Sequence, residues 1–212
     1  MAEALWLQRR RAVIHNQPIA ILDIETTGLR AGHHEILEVS ILLSPNLAQL
    51  VSAAQPRTWK FRPVHTDRID PGALQCNGYT PEQWRGAPAP LSPVGLDAYR
   101  ELVELCQDRV IIGHNVRFDL EFLRDHLLTY GYSRSAGRAR AALSMPRIKA
   151  SIDTIPIAYA ILGGQLDRLS LDHIRERLPH LERGEAHTSS GDVLTVAALL
   201  CHCLGSSGTA PT

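Results

Sequence analysis

The chain has 212 residues, 44% hydrophobic and 21% charged, with Lys+Arg 22 balanced by Asp+Glu 22. That length suits one well-packed domain and is short for two. Zero net charge argues against a strong non-specific duplex binder, which carries a basic excess, but leaves room for an enzyme that grips a few phosphates. No stretch approaches the length of a membrane span. Cys76, Cys106, Cys201 and Cys203 show no Cys-x-x-Cys spacing, so buried thiols are expected rather than a zinc site or a disulfide framework.

In chain order, residues 1–17 read as a short helix or arm, with Arg9, Arg10 and Arg11 on a solvated face. Its basic residues follow a short apolar piece, the reverse of a signal peptide, so a cytoplasmic protein is expected. Residues 18–205 read as one domain. Residues 19–25 form an apolar strand that ends at Thr26-Thr27-Gly28, a turn. "EILEVSILL" (35–43) and "TWKFRP" (58–63) are further strands, and the three suggest an antiparallel meander. The turn-rich segment 68–90 holds one short helix, started by Thr80-Pro81.

Residues 92–106 carry apolar or aromatic residues at helical spacing behind Ser92-Pro93. "RVIIGHN" (109–115) is a short buried strand, and "FDLEFLRDHLLTYG" is a helix closed by Gly131. Residues 132–149 are basic without an acid, which predicts a loop whose Arg134, Arg138, Arg140, Arg147 and Lys149 are solvated or hold phosphates. "ASIDTIPIAYAIL" is a strand end and a helix. "SLDHIRERL" is a helix capped by Ser170, and "GDVLTVAALLCHCLG" is the last long helix. The tail 206–212 is expected to be disordered. Strands first, then alternation with helices, predict an α/β domain with a mixed sheet.

The acids carry the functional signal. Strand side chains alternate faces, so Asp23 and Glu25 point the same way from an inner strand. Two like charges there repel and lose hydration, and a divalent cation resolves the conflict. Oxygen ligands suit Mg²⁺ or Mn²⁺. Taken alone, Asp119 and Asp192 read more readily as N-terminal helix charges or caps than as catalytic groups, and Asp153 reads as a cap. Two metals would need carboxylates from distant parts of the chain, which these later acids can supply.

"LDIETTGL", "GHNVRFDLEFL" and "HTSSGD", in this order and at these intervals, resemble the three motifs of the DnaQ-like 3′→5′ exonuclease family. The resemblance spans about residues 19–200 and implies a ribonuclease H-like fold, a mixed five-stranded sheet flanked by helices. It makes Asp23, Glu25, Asp119 and Asp192 the metal-binding acids, with Asp23 bridging two ions. His187, five residues before Asp192, places the chain in the histidine (DEDDh) branch of that family. Histidine, with an ordinary pKa of about 6.5, suits a general base for water whose own pKa a metal has lowered.

The implied reaction removes nucleoside 5′-monophosphates from single-stranded 3′ ends, with DNA favoured over RNA. An exoribonuclease and a nucleic-acid-binding scaffold subunit are the alternatives, and a polymerase or other nucleoprotein complex is the implied partner. Substrate contacts are expected near Thr26, Thr27 and Leu29, with His114, Asn115 and Phe118 flanking the second motif. Asn77-Gly78-Tyr79-Thr80 departs from the His-Gly-Ile-Thr of many relatives.

Overall fold

The computed structural model describes residues 16–53, 55–130, 143–162, 164, 166–181, 184–203 and 205. Five strands form one sheet in the order β3-β2-β1-β4-β5. They are β1 (Ile19–Thr26), β2 (Ile36–Ser44), β3 (Arg57–Lys60), β4 (Val110–Gly113) and β5 (Ala150–Asp153). The first three make the expected antiparallel meander, and β4 and β5 add in parallel beside β1. The mixed sheet read from the sequence is therefore present.

β1 is central, and its alternation decides where everything else goes. Ala20, Leu22 and Ile24 pack with α2 (Pro93–Cys106) and α3 (Val116–Tyr130) on one face. Ile19 and Ile21 pack on the other face against Val193, Val196, Ala197 and Leu200 of α6 (Ser189–Cys203). Asp23 and Glu25 continue the odd-numbered series, so they emerge on the side of α6. A third cluster joins α6 to α4 (Thr154–Leu162) and α5 (Leu171–Arg177) through Ala158, Leu162, Ile174 and Leu199.

The short helix of the 68–90 connection lies earlier than Thr80-Pro81. It is α1 (Pro71–Asn77), capped by Asp70, whose Oδ1 accepts the Gly72 N–H at 2.7 Å, with Pro71 in its first turn. Asp-Pro and Thr-Pro are equivalent start signals. The second fails because Tyr79 and Trp84 are drawn into a small cluster with Leu37, leaving Thr80 to cap only a turn through the Gln83 N–H at 3.3 Å. α1 buries none of its residues, so Cys76 is exposed, and Cys201 and Cys203 are half-buried; of the four thiols expected to be buried, only Cys106 is. Ser92 and Ser170 cap α2 and α5 as expected. The N-terminal arm up to residue 15, Gly131, Arg134, Arg138, Arg140 and the tail 206–212 lie outside the described residues.

Two buried polar networks tie distant segments to the sheet. Glu35 accepts the Val64 and His65 N–H groups at 2.9 and 2.7 Å, and the Tyr130 hydroxyl. Beside it, His126 Nε2 accepts the Ile36 N–H at 2.9 Å, which leaves Nδ1 to donate to the Tyr99 hydroxyl at 2.7 Å. Burial pushes His126 down to about 3, so the ring is neutral and this tautomer follows.

The second network fixes the start of α6. Glu38 Oε1 accepts the Ser189 N–H at 3.1 Å and its hydroxyl at 2.8 Å, while Lys60 pairs with Oε2 at 3.1 Å. Ser189 Oγ also lies 2.8 Å from Ser40 Oγ. Ser189→Ala leaves only the backbone bond and should cost about 1–2 kcal/mol. Chemical denaturation checks this, and an unchanged midpoint would show that the hydroxyl does not anchor the helix.

Candidate active site

At the carboxyl ends of β1 and β4 the sheet brings the acids together. Asp23 and Glu25 project towards the first turn of α6, where Asp192 lies. One carboxylate oxygen from each of the three falls within 4.8 Å of the others. Asp119, in the first turn of α3 and 3% exposed, stands outside that trio, but its charge acts on Asp23 more strongly than any other. Both helices start here, so their positive ends face the carboxylates.

The acids are held against their preference. Burial first, then the charges of Asp119, Asp192 and Glu25, push Asp23 well above the carboxylate range. Burial, followed by Asp192 and Glu38, pushes Glu25 up to about 9. Glu38 is its direct cross-strand partner on β2. Burial raises Asp119 to about 8 against backbone N–H groups of its own residue and Ile24. Burial also raises Asp192, while Arg175 opposes it by charge and hydrogen bond. A site of hard oxygen donors with surplus negative charge fits a divalent cation.

The loop before α6 carries His187 in the left-handed region, φ 58°. It is seated close because a Cβ at Gly191 would meet the Glu185 carbonyl oxygen at 2.0 Å, so only glycine lets the loop approach. His187 is exposed, and its Nε2 lies 3.6 Å from Asp172 Oδ1, in ion-pairing range. Asp172 also pairs with Arg175 Nη1 at 3.2 Å, and Arg175 Nη2 bonds the Asp192 carboxylate.

The residues expected to meet substrate divide. Leu29 is 79% exposed beside the acids' strand end. Thr27 is buried; its N–H donates to the Glu35 carbonyl and its hydroxyl accepts the Glu35 N–H, both at 2.8 Å. The Thr26 hydroxyl donates to the Gly28 carbonyl at 2.7 Å. Both ring nitrogens of His114 are engaged, with Thr154 Oγ1 at 2.9 Å and with the Leu169 carbonyl. Asn115 is a left-handed turn residue, φ 68°, whose N–H donates to Asp153 Oδ1 at 3.0 Å; the same oxygen caps α4. Phe118 is half-buried against Phe122, ring centroids 4.7 Å apart.

Two residues of the site carried no signal in the sequence, and a third lay in a loop marked there only by its departure from relatives. Arg175 and Asp172 sit in an ordinary amphipathic helix. Asn77, in the departing loop, donates to the Thr26 carbonyl at 2.9 Å and so ties that loop to the end of β1.

The chain matches the RNase_T exonuclease family model over residues 20–200 and belongs to that family, which is of the DnaQ type. It is thus a hydrolase of the exonuclease class. It is 22% identical over 187 residues to Ribonuclease T of Shewanella frigidimarina (strain NCIMB 400), covering 85% of this chain and 79% of the relative. It is 26% identical over 194 residues to the PolC-type DNA polymerase III of Ureaplasma parvum, 91% of this chain but 12% of that protein. The fold is similar to Escherichia coli exonuclease I in complex with a dT13 oligonucleotide, with a TM-score of 0.66 at 19% identity. That likeness covers 90% of this chain and 41% of the exonuclease I chain. Among the described residues, no helix is long and apolar enough to cross a membrane.

The raised acids set a pH dependence. Glu25 at about 9 and Asp119 at about 8, against ordinary values of 4.5 and 3.8, keep protons in the folded state that the unfolded chain releases. With chelator present, stability should therefore fall as pH rises from about 5 to about 9. Mg²⁺ or Mn²⁺ should flatten that slope. Thermal melts across the range check both, and a chelated protein that gains stability with pH would contradict the charge surplus.

Proposed function

We propose that the protein is a divalent-metal-dependent 3′→5′ exonuclease that trims single-stranded ends, DNA ahead of RNA, releasing nucleoside 5′-monophosphates. The convergence of Asp23, Glu25 and Asp192 oxygens within 4.8 Å, with His187 five residues before Asp192, carries the reading. Mg²⁺ or Mn²⁺, two ions per site, supplies activation of water and neutralisation of the scissile phosphate when bound. Asp23, Glu25 and Asp192 would hold one ion, and Asp119 with Asp23 the other. Asp23 would be the shared member, standing beside Glu25 and Asp192 and feeling the charge of Asp119 most strongly.

His187 takes the proton of the attacking water, and its solvent-facing position leaves room for a strand end in front of it. The ring's Nε2 rests 3.6 Å from Asp172 Oδ1. Leu29 offers an apolar face for the terminal base. Asn115 offers its exposed side chain at a left-handed turn, Thr26 stiffens the strand end, and Phe118 backs the groove. The commitments of Thr27 and His114 within the fold support a role in shaping the pocket wall rather than in touching the nucleotide. Arg147 is occupied by Asp108, its Nε and Nη2 each donating to one carboxylate oxygen at 2.9 Å, and Lys149 bonds the Gln17 side chain; neither is an idle phosphate ligand.

DNA leads because exonuclease I, whose fold this chain shares, is seen with dT13 and because PolC-type polymerases carry a related segment. A polymerase or nucleoprotein partner that delivers the end follows from the same likeness. Exoribonuclease activity is the second reading, favoured by the 79% coverage of a Ribonuclease T.

The test uses 5′-labelled single-stranded DNA, single-stranded RNA and duplex, with Mg²⁺, Mn²⁺ or chelator. A 3′ ladder should appear, vanish with chelator and in Asp192→Asn, and be faster on DNA. His187→Ala should slow cleavage roughly 10²–10⁴-fold. Retained binding with no cleavage of any polymer would overturn the proposal in favour of a scaffold, and faster RNA trimming would reverse the substrate order.

A further inference from the structure

Arg175 is a full positive charge built into the edge of the acidic cluster. Its side chain is 6% exposed, so water does not solvate it. Nη2 holds the Asp192 carboxylate and lies 3.3 Å from Thr195 Oγ1, while Nη1 lies 3.2 Å from Asp172 Oδ1. Its Nε is buried without a hydrogen-bond partner among the described residues. A buried guanidinium has five donors to satisfy, and one left open marks a position that is not saturated. Its two carboxylates differ sharply: Asp192 is 14% exposed and belongs to the metal-binding trio, whereas Asp172 is 58% exposed and outside it.

A divalent ion on Asp192 would stand next to the guanidinium that the same carboxylate already holds, and like charges repel strongly in a poorly screened site. We infer that Arg175 is a resident counter-cation that metal displaces: on metal arrival the guanidinium gives up Asp192 and keeps Asp172. The inference rests on the metal-dependent reading above. It has a consequence at His187, whose Nε2 faces the same Asp172 oxygen at 3.6 Å. A guanidinium drawn fully onto Asp172 competes for that oxygen and releases the ring, so metal loading and freeing of the base become one event.

The test is calorimetric titration of the full chain with Mg²⁺ and Mn²⁺. R175M should bind metal more tightly, on the order of tenfold. D172N, which removes the alternative carboxylate, should weaken binding by a similar factor when Arg175 is present and by much less in R175M. R175M binding equal to or weaker than wild type would overturn the exchange and make Arg175 an outer support of Asp192. Should R175M not fold, guanidinium ¹⁵N resonances of the wild-type protein give the answer: they should move and saturate with Mg²⁺, and unchanged signals at saturating metal would refute the displacement. No heat from either ion with wild type or R175M would overturn the metal reading, and the inference with it.

Discussion

The repulsion among Asp23, Glu25, Asp119 and Asp192 is the constraint around which this molecule is arranged. Four acids at one end of a buried strand oppose folding, and the remainder of the architecture contains that cost. Two helices begin there, directing their positive ends inward. Arg175 offsets part of the charge from a third helix. The Glu38–Ser189 anchor keeps α6 from relieving the strain by drifting off the sheet. A site held in this way is pre-organised for cations and does not have to be assembled by them.

The sequence revealed the parts whose signal is local. β1 announced itself by an apolar run broken by two same-face acids, and α6 by its periodicity behind "HTSSGD". Asp119 and Asp192 were ambiguous, because a first-turn acid is equally at home as a helix charge. Only the convergence of the acids at the carboxyl ends of β1 and β4 separates the two roles. Arg175 could not be found in advance: in "SLDHIRERL" it reads like any charged residue on an exposed helix face. Its burial depends on how α5 packs on α6, a tertiary fact without local trace. The helix of the 68–90 connection was misplaced for a related reason. Asp70-Pro71 and Thr80-Pro81 are both valid starts, and the choice was made by Tyr79 and Trp84 docking on Leu37.

The expected substrate residues illustrate another limit. Spacing assigns residue types to a neighbourhood but not their polar atoms to partners. Thr27 and His114 stand where the motifs put them, and the Thr27 N–H and both His114 ring nitrogens are engaged by Glu35, Thr154 and Leu169. Leu29, with nothing polar to commit, stays exposed. The strand end is thus a rigid frame, further braced by Asn77 on the Thr26 carbonyl, with a single apolar residue presented from it.

Buried acid alone does not mark a functional residue, and this fold supplies its own comparison. Glu35 and Glu38 are 3% and 4% exposed, as deeply placed as Asp119 at 3%. Each is answered: Glu35 by two backbone N–H groups and the Tyr130 hydroxyl, Glu38 by Lys60 and both donors of Ser189. They are charges the protein has balanced for itself, and they do structural work. Asp23 and Glu25 lie on the neighbouring stretch of the same sheet, and their strongest charged neighbours are other acids. The distinction lies in what surrounds the carboxylates, not in depth. By that criterion the acid cluster proposed to hold metal is the place where the protein leaves its own charge unbalanced, with Arg175 as a partial counter-charge.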